Sequence, residues 1–435
     1  MPEMMDSGIE WIGEIPNNWE IGRIKDILSV LTDYTANGSF GDLAKNVTYL
    51  DYEGFARLVR LTDLREDLLN EDGVYVSEYS YNYLAKSSLY GNEILVANVG
   101  AYAGLFCIMP EEKGICTLGP NMFLLRTTEK MLAKYLYYMG RSNSVWEQLR
   151  QKSIATAQPK LNKTDIKNIY LCIPPITVQN RIVDILNKKC AEIDALVADI
   201  QSEIKILEEY KKSAITEAVT KGLNPDVKMK DSGIEYVGYI PSSWEIHPVY
   251  YYFGERKAKN YALKEQNLLS LSYGKIIRKD INTNGGLLPA SFNTYNIVES
   301  GDIIIRPTDL QNDKRSLRTG LVTEHGIITS AYIDLMPIAD INSEYFHYLL
   351  HAFDVMKVFY NMGNGVRQGL NYSEFSKLMI FAPSRKEQDD IVAYLKDTCT
   401  AIEELIALKK EQLETLEEYK KSVIYEYVTG KKEVV

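Results

Sequence analysis

Residues 6–21 read DSGIEWIGEIPNNWEI, and residues 231–246 repeat them as DSGIEYVGYIPSSWEI. Eleven of the sixteen positions are identical at an offset of 225 residues, an agreement that chance does not produce. An internal repeat constrains the architecture of a chain more strongly than any local pattern does. We therefore take this segment, the head motif, as the start of a block that the chain contains twice.

A second and longer repeat follows each head motif. Residues 179–220 and 388–429 align at an offset of 209 with 19 identities in 42 positions, and both contain EEYKKS, at 208–213 and 417–422. The sequence between the repeated blocks matches only faintly. The chain therefore contains a head motif, a variable region and a long block, and then the same three parts again. This plan indicates one task performed twice with two specificities.

Apolar residues in the long blocks recur at spacings of four and three, the pattern of a coiled-coil seam. In the first block this seam contains Leu186, Cys190, Ile193, Val197, Ile200, Ile204 and Leu207. Pro175 and Pro383 precede the two blocks, and Gly222 ends the first, as expected at helix boundaries. Each block is predicted to form one helix of about 40–45 residues, roughly 60–68 Å long.

The seam of such a helix needs a partner, and two arrangements are open. The two helices could pair antiparallel within the chain, or each could dimerise with another molecule. The matched copies favour the intramolecular pair, which has an approximate two-fold axis and would place the variable regions at opposite ends. Residues 428–431 (VTGK) come at the end of the second block where residues 219–222 (VTKG) of the first block continue into the second head motif. We therefore expect the tail of the chain to lie near its head.

The variable regions combine short β-rich runs with turns that contain Gly and Asn, and each has a short helix late in its sequence. The predicted strands include Leu58–Leu61, Ile94–Val99, Ile303–Ile305 and Leu321–Thr323, and the predicted helices are Tyr135–Met139 and Tyr345–Ala352. The fold class is predicted to be α+β (or α/β), with two domains of mixed sheet and helices separated by a pair of long antiparallel coiled-coil helices in a pseudo-two-fold internal repeat.

Four segments are predicted from these patterns. Residues 1–178 form the first variable domain with its head motif, and residues 179–222 form the central helix. Residues 223–383 form the second variable domain with the repeated head motif, and residues 384–435 form the C-terminal helix.

The 435 residues carry 49 Lys and Arg against 59 Asp and Glu, a net charge of −10 that by itself argues against a nucleic-acid binder. DNA phosphates, however, require local positive charge rather than a basic total. Residues 141–167 hold six cations against two acids, and residues 256–279 hold seven against one. The positive charge is therefore concentrated in the variable regions.

Two loops occupy equivalent places in the two copies, at 155–160 and 363–369, and both combine small residues with a glutamine and a cation. Arg, Asn and Gln side chains read base edges through paired hydrogen bonds. The candidate DNA-binding residues are Lys152, Gln158, Lys160, Lys275, Arg278, Lys279, Lys314, Arg315, Arg318, Arg367 and Gln368. On charge alone, solvated surface loops without a ligand are an equal alternative.

Catalytic signatures are missing from the sequence. We find no Asn-Pro-Pro-Tyr or Asp-Pro-Pro-Tyr of an aminomethyltransferase, no P-loop, no GxSxG and no HExxH. His347 and His351 are four apart on a predicted helix, but without a third ligand helix packing is favoured over a metal site. We therefore predict a non-catalytic chain with no metal and no bound cofactor.

The five cysteines are an odd number and form no CxxC, which fits a reducing compartment. We find neither a secretory signal nor an apolar run of the roughly 18 residues that a bilayer span requires. The expected location is the cytoplasm, without a membrane partner.

The chain resembles the specificity subunit of type I restriction-modification systems. The resemblance rests on the repeated DSGIE-x-x-G-x-IP-x-x-W motif, the two variable regions, the EEYKKS helices, and a proline followed by a glutamine where each helix begins (Pro175 and Gln179, Pro383 and Gln388). It covers essentially the whole chain. One departure is Val178, which stands where the second copy has Glu387 and affects only a local helix cap.

The resemblance implies that each variable region is a target recognition domain that reads one half of a bipartite sequence in double-stranded DNA. The long helices would set the spacer between the halves. Methyltransferase subunits, expected to be two, would methylate adenine with S-adenosylmethionine, and motor-nuclease subunits that use ATP and Mg would cleave unmodified DNA. The alternative from another class is a coiled-coil adaptor that organises partner proteins without touching DNA.

Overall fold

The computed structural model describes residues 3–66, 68–153, 159–261, 263–281, 291–308, 317–358, 362 and 369–434. The chain forms two compact units. Unit 1 comprises Met1–Ile200 and Glu411–Val435, and unit 2 comprises Gln201–Lys410. The boundaries therefore fall inside the two long repeated blocks, whereas the four segments expected from the sequence remain a prediction.

The helices are α1 Phe40–Asn46, α2 Glu78–Tyr83, α3 Ala133–Gly140, α4 Asn143–Ser153, α5 Lys163–Lys167, α6 Ile176–Lys221, α7 Val249–Tyr252, α8 Ser343–Val355, α9 Tyr372–Phe375 and α10 Arg385–Val428. Each long repeated block is a single helix, as the heptad spacing predicts. Gly222 and Gly430 follow the two helices closely with φ of +76° and +71°, a left-handed conformation that glycine adopts readily. The predicted short helices late in the variable regions are confirmed as α3 and α8.

Unit 1 contains strands β1 Met4–Asp6, β2 Glu14–Pro16, β3 Glu20–Arg23, β4 Leu28–Asp33, β5 Tyr49–Leu50, β6 Ala56–Val59, β7 Val74–Val76, β8 Ser88–Leu89, β9 Ile94–Ala97, β10 Phe106–Ile108, β11 Cys116–Leu118, β12 Met122–Thr127 and β13 Tyr170–Ile173. An antiparallel sheet has the order β10-β9-β12-β4, and a mixed sheet has the order β5-β7-β6-β11-β8 with β6 and β11 parallel. Strand β3 pairs with β13, which joins the head motif to the segment just before α6.

Unit 2 contains strands β14 Met229–Asp231, β15 Tyr239–Pro241, β16 Glu245–Pro248, β17 Phe253–Glu255, β18 Leu269–Ser272, β19 Lys275–Arg278, β20 Asn296–Val298, β21 Ile303–Ile305, β22 Thr319–Leu321, β23 Gly326–Ile328, β24 Ile333–Pro337 and β25 Met379–Ala382. Its largest described sheet is antiparallel with the order β17-β24-β21-β22. Strand β16 pairs with β25 as β3 pairs with β13 in unit 1. The repeated head motif therefore makes the same strand pair in both units.

The predicted strand Ile303–Ile305 is confirmed, whereas the prediction for Leu321–Thr323 is wrong in its bounds. The strand is Thr319–Leu321. The backbone NH of Val322 still donates to the carbonyl oxygen of Asp302 at 2.9 Å, but the NH of Asp302 donates to the carbonyl oxygen of Glu299 at 3.1 Å, so the regular pairing ends at this point. Strand Ile94–Val99 similarly ends two residues early, at Ala97. The strand predicted at Leu58–Leu61 lies two residues earlier, at Ala56–Val59.

Each unit contains an antiparallel pair of helical segments. In unit 2 the Lys409 ammonium lies against Glu203, and Lys211 pairs with Glu403. In unit 1 the Lys420 ammonium lies 2.5 Å from a carboxylate oxygen of Asp194. Residues later in α6 pair with residues earlier in α10, which confirms the intramolecular antiparallel pair. Seam positions such as Ile204 are less exposed than their neighbours, as the heptads predict.

The core of unit 1 includes the end of the chain. Val423, Ile424, Tyr427 and Val428 are buried with Trp19 of the head motif. The Tyr135 hydroxyl donates to the carbonyl oxygen of Val428 at 3.0 Å. The Lys431 ammonium donates to the carbonyl oxygen of Ile12 at 2.9 Å. The prediction that the tail lies near the head is therefore confirmed.

Unit 2 makes the corresponding contacts with the end of α6. The Tyr345 hydroxyl donates to the carbonyl oxygen of Val219 at 3.3 Å, as Tyr135 does to Val428. Trp244 is buried and its indole NH donates to the Glu387 carboxylate at 3.1 Å. At the position of Glu387 the first copy has Val178, which packs against the unit 1 core. This departure therefore changes one hydrogen bond to the head motif and leaves the frame intact.

A buried glutamine links each long helix to its variable region, and its loss is expected to destabilise that unit. The Gln179 amide donates to the carbonyl oxygens of Lys130 and Pro174, both at 2.9 Å, and its oxygen accepts from the NH of Leu132. Gln179→Ala should lower the free energy of unfolding of unit 1 by about 2–3 kcal/mol, because buried groups lose their partners. Urea unfolding followed by hydrogen exchange measures this. Lys188→Ala, at an exposed position of α6 within unit 1, is the matched control, and an equal effect of both changes would refute the prediction.

None of the described helices combines the length and apolar character needed to cross a bilayer.

Candidate nucleic-acid interface

In unit 1 the structure places two of the predicted cations on the surface, on either side of residues 154–158. Lys152 is exposed near the end of α4, and Lys160 is exposed two positions after residue 158. Gln158 lies outside the described residues. Lys160 forms an antiparallel bridge with Val99.

Residues 159–161 are attached to the loop after β9 by backbone hydrogen bonds. The NH of Leu161 donates to the carbonyl oxygen of Asn98 at 2.8 Å, and the NH of Gly100 donates to that of Pro159 at 2.9 Å. Asn162 then caps α5 through a capping box with Asp165. The backbone at Lys160 is therefore held in place from both sides.

Unit 2 repeats this attachment at an offset of 209 residues. The NH of Leu370 donates to the carbonyl oxygen of Pro307 at 2.9 Å, and Asn371 caps α9 through a capping box with Glu374. The two loops singled out in the sequence thus end on equivalent framework contacts. Arg367 and Gln368, like Lys314 and Arg315, lie outside the described residues.

A cleft of about 330 Å³ lies beside Lys160 in unit 1. Asn98, Asn121 and Lys163 contribute to its lining, and Lys163 pairs with Asp33 at 2.9 Å. The side-chain oxygen of Asn98 is buried and accepts no hydrogen bond in the part of the chain that the structure describes. The cleft therefore presents one amide oxygen without a partner among the described residues, with cations at its edge.

A second concavity of about 620 Å³ shares Asn121 with this cleft and is also lined by Arg60, Thr62 and Tyr49. Tyr49 donates its hydroxyl hydrogen to Tyr34 at 3.2 Å, and burial together with this bond raises the pKa of Tyr34 well above its usual range. The Tyr34 hydroxyl therefore stays neutral near pH 7. The surface thus offers neutral donors and acceptors of the kind that read base edges.

Sequence reasoning missed Asn98, Asn121 and Arg60. A signal was present for Asn98, since it follows a buried strand directly, at the position that Pro307 occupies after β21. Asn121 has a φ of +68°, and an asparagine tolerates this left-handed conformation better than most residues. The signal for Asn121 was therefore a turn signal rather than a charge.

In unit 2 the predicted cations Lys275, Arg278 and Lys279 are exposed and belong to one hairpin. Strands β18 and β19 are joined by Tyr273 and Gly274, whose φ values of +47° and +79° fit a tight two-residue turn. A two-stranded ribbon of this kind has a width that the major groove of DNA accommodates.

The hairpin turn lies beside the helical segments of unit 2. Lys275 lines a cavity of about 690 Å³ together with Lys211 and Lys212 of α6. His347 and His351 line the same cavity, and burial lowers the pKa of both imidazoles to about 4, so both are neutral at pH 7.

The two histidines lie on α8, where helix packing was favoured over a metal site. Among the residues that the structure describes, no group of three or more His, Cys, Asp or Glu could hold a metal ion. Nε2 of His347 and Nδ1 of His351 are buried and make no hydrogen bond to any described residue. That these two histidines pack the helix and bind no metal remains a prediction.

Arg318, also a candidate, is fully buried in unit 2. Its side-chain Nη1 donates to the carbonyl oxygen of Thr308 at 2.5 Å. Its backbone NH donates to the Asp354 carboxylate of α8, also at 2.5 Å. This arginine joins the start of β22 to α8, and a role in binding DNA remains an untested prediction.

Arg278 is paired with an acid at the open end of the hairpin. Its Nε lies 2.9 and 2.8 Å from the two carboxylate oxygens of Glu324, and its Nη2 donates to the same carboxylate. These bonds lower the pKa of Glu324, which is therefore ionised. Sequence reasoning found the arginine but not the acid that holds it.

Residues 16–206 match the model of the family described as the type I restriction modification DNA specificity domain. The chain is 26% identical to a protein of Methanocaldococcus jannaschii provisionally named type I restriction enzyme MjaX specificity subunit, across 97% of this chain and 95% of that one. It is 24% identical to the type I restriction enzyme MjaVIII specificity subunit of the same organism, across 96% and 93%.

The fold also resembles a solved structure described as the structural basis underlying complex assembly and conformational transition of the type I R-M system. The TM-score is 0.66 at 16% identity, and the match covers 96% of this chain and 99% of that chain. At this identity the likeness concerns the fold, which is mixed helix and sheet as predicted.

Proposed function

Because this chain belongs to the specificity subunits of type I restriction-modification systems, we propose that its two units read the two halves of a bipartite DNA sequence. The supporting observation is one frame that carries two different surfaces. Leu161 and Leu370 are anchored by the same backbone bond, while the loop sequences that precede them, at 155–160 and 363–369, differ between the units. A shared frame with different surfaces suits two different half-sites.

Each surface has the chemistry that DNA requires. Exposed cations (Lys152 and Lys160 in unit 1, Lys275 and Lys279 in unit 2) would contact phosphates and release their counterions. Side chains with paired donors and acceptors, such as Asn98 and Asn121, would read base edges. Lys314, Arg315, Arg367, Gln158 and Gln368 are proposed to complete these surfaces. The net charge of −10 implies weak binding by the chain alone, with partner subunits supplying much of the attraction.

The remaining assignments follow from the same proposal. Residues 1–178 and 223–383 are proposed as the target recognition domains, and the helices at 179–222 and 384–435 as the spacers between half-sites. We propose a non-catalytic chain that works in the cytoplasm with two methyltransferase subunits and with motor-nuclease subunits. S-adenosylmethionine, ATP and Mg would be bound by those partners. Similarity to specificity subunits favours this function over a coiled-coil adaptor.

The test uses the chain assembled with its methyltransferase partners. Sequencing of DNA methylated by this complex should show adenine methylation at one interrupted, asymmetric motif. Replacing residues 223–383 with the matching segment of another specificity subunit should change one half of the motif, and replacing residues 1–178 should change the other half. Sequence-independent binding, which falls with salt in the same way on every DNA, would refute the proposal.

A further inference from the structure

The hairpin of strands β18 and β19 carries an arginine whose position is fixed before any ligand arrives. Arg278 pairs with Leu269 across the ribbon, and its side chain is 73% exposed. A free arginine of this exposure samples many rotamers, and ordering it on binding costs up to about 1.5–2 kcal/mol. Any contact that orders it in advance reduces that cost.

Glu324 supplies this contact. The carboxylate receives Nε–H and Nη2–H of Arg278, which is the bidentate geometry that fixes the plane of a guanidinium. Glu324 is itself only 31% exposed. A salt bridge between two mobile side chains contributes little stabilisation. Glu324 therefore orders the guanidinium only if its own carboxylate is held in place.

Asn267 holds the acid. Its Nδ2 donates to the Glu324 carboxylate at 3.1 Å and to the carbonyl oxygen of His325 at 2.7 Å. The backbone oxygen of Asn267 accepts from the NH of Ile327 at 2.9 Å, next to the pair of β20 and β23. The chain Asn267–Glu324–Arg278 therefore connects the guanidinium to the sheet framework.

The other edge of the guanidinium is available. Nη1 of Arg278 makes no hydrogen bond to any residue that the structure describes, and Nη2 has a second hydrogen. Two parallel N–H donors on a fixed plane match O6 and N7 of guanine in the major groove, the commonest specific contact of arginine with DNA. A phosphate also accepts two parallel donors, but a phosphate contact carries no sequence information, so the two ligands predict different results in the experiment below.

We propose that Arg278 reads a guanine in the half-site of unit 2 and that Glu324 is its positioning residue. This inference rests on the proposed function, since it names one base that the second unit would read. The pair would then contribute to sequence discrimination more than to general attraction for DNA.

The experiment compares Arg278→Lys and Glu324→Gln in the full chain with its methyltransferase partners, by sequencing methylated DNA and by binding assays at several salt concentrations. Arg278→Lys should reduce discrimination at one base pair of one half-site by roughly 10–100-fold. Glu324→Gln should relax the same base pair by a smaller factor. The affinity of Glu324→Gln for unrelated DNA should not fall below the wild-type value, since the change removes a negative charge from the surface.

Arg385→Lys is the matched control, because Arg385 is an exposed arginine paired with Asp340 and Asp389 away from the hairpin. It should leave the motif unchanged. An unchanged motif in Arg278→Lys, or a uniform loss of affinity with a shallower salt slope, would overturn the inference while the proposed function stands. A wild-type complex that methylates no bipartite motif would instead refute the proposed function itself.

Discussion

A chain that ends after Lys410 is expected to lose the fold of unit 1 and to keep that of unit 2. Unit 2 is the continuous segment Gln201–Lys410, whereas unit 1 needs Glu411–Val435 as well as the first 200 residues. Val423, Ile424, Tyr427 and Val428 belong to the unit 1 core. At about 1.5–3 kcal/mol for each buried side chain, their loss removes about 6–12 kcal/mol of stabilisation. A whole domain is typically stable by about 5–15 kcal/mol.

Hydrogen exchange with mass spectrometry measures the two units separately in one sample. Strands β9 and β12 of unit 1 should exchange rapidly in the shortened chain, while β21 and β24 of unit 2 keep their protection. The matched control is a chain that ends after Lys432, which retains α10 and the contact between Lys431 and Ile12. Full protection of β9 and β12 in the chain ending at Lys410 would show that the tail is dispensable.

Replacing Asp334 with asparagine is expected to stabilise unit 2 increasingly as the pH rises above about 4. Asp334 lies on β24, is 1% exposed, and neither of its carboxylate oxygens accepts a hydrogen bond from the described residues. Burial, reinforced by the nearby charge of Asp302, raises the pKa of Asp334 to about 8. Arg256 lowers it less, because this arginine is committed to Asp302 at 2.6 Å and lies 4.0 Å from Asp334.

The sign of the pH dependence follows from proton binding. The unfolded carboxyl group loses its proton near pH 4, whereas the folded one keeps it up to about pH 8. Between these values the folded state binds more protons, so the stability of wild-type unit 2 falls as the pH rises. The side chain of the Asp334→Asn variant carries no charge at any pH. Its advantage over wild type should grow from near zero at pH 4 to about 3–5 kcal/mol at pH 8.

Urea unfolding at pH 5 and pH 8, followed by hydrogen exchange of β24, tests this expectation. Asp302→Asn is the contrasting variant, because the Asp302 carboxylate accepts two hydrogen bonds from Arg256 and one from the NH of Glu299. That change should destabilise unit 2 at pH 8, since it takes from the partly buried Arg256 the carboxylate that accepts two of its hydrogen bonds. An Asp334→Asn variant that is no more stable than wild type at pH 8 would contradict the assigned protonation state.

The helical frame could be predicted from sequence because its determinants are local and repeated. Heptad spacing and the prolines before α6 and α10 predicted two helices, and the repeated copies predicted their antiparallel pairing. The equivalent positions of residues 428–431 and 219–222 predicted the return of the tail to the head. The division of each helix between two units could not be predicted. It depends on Tyr135 bonding to Val428 and Tyr345 to Val219, contacts between residues more than 100 positions apart.

The interface was predicted less completely, and the reasons differ from residue to residue. Counting cations located the hairpin of Lys275 and Arg278, which the structure leaves exposed. The same count included Arg318, whose burial depends on the distant Asp354 of α8. A count of cations does not include uncharged residues such as Asn98. Their proposed role comes from the cleft around them rather than from a charge.

The contact between the two ends of unit 1 also sets an order of events during synthesis. The Tyr425 hydroxyl donates to the carbonyl oxygen of Ile12, 413 residues earlier in the chain. At about 5–20 residues per second, a ribosome needs about 20–80 s to make the segment between them. Unit 2 is complete before the last residues of unit 1 emerge. The N-terminal apolar surface around Trp19 therefore waits, uncovered, for nearly the whole of translation, and nascent-chain chaperones should engage it there.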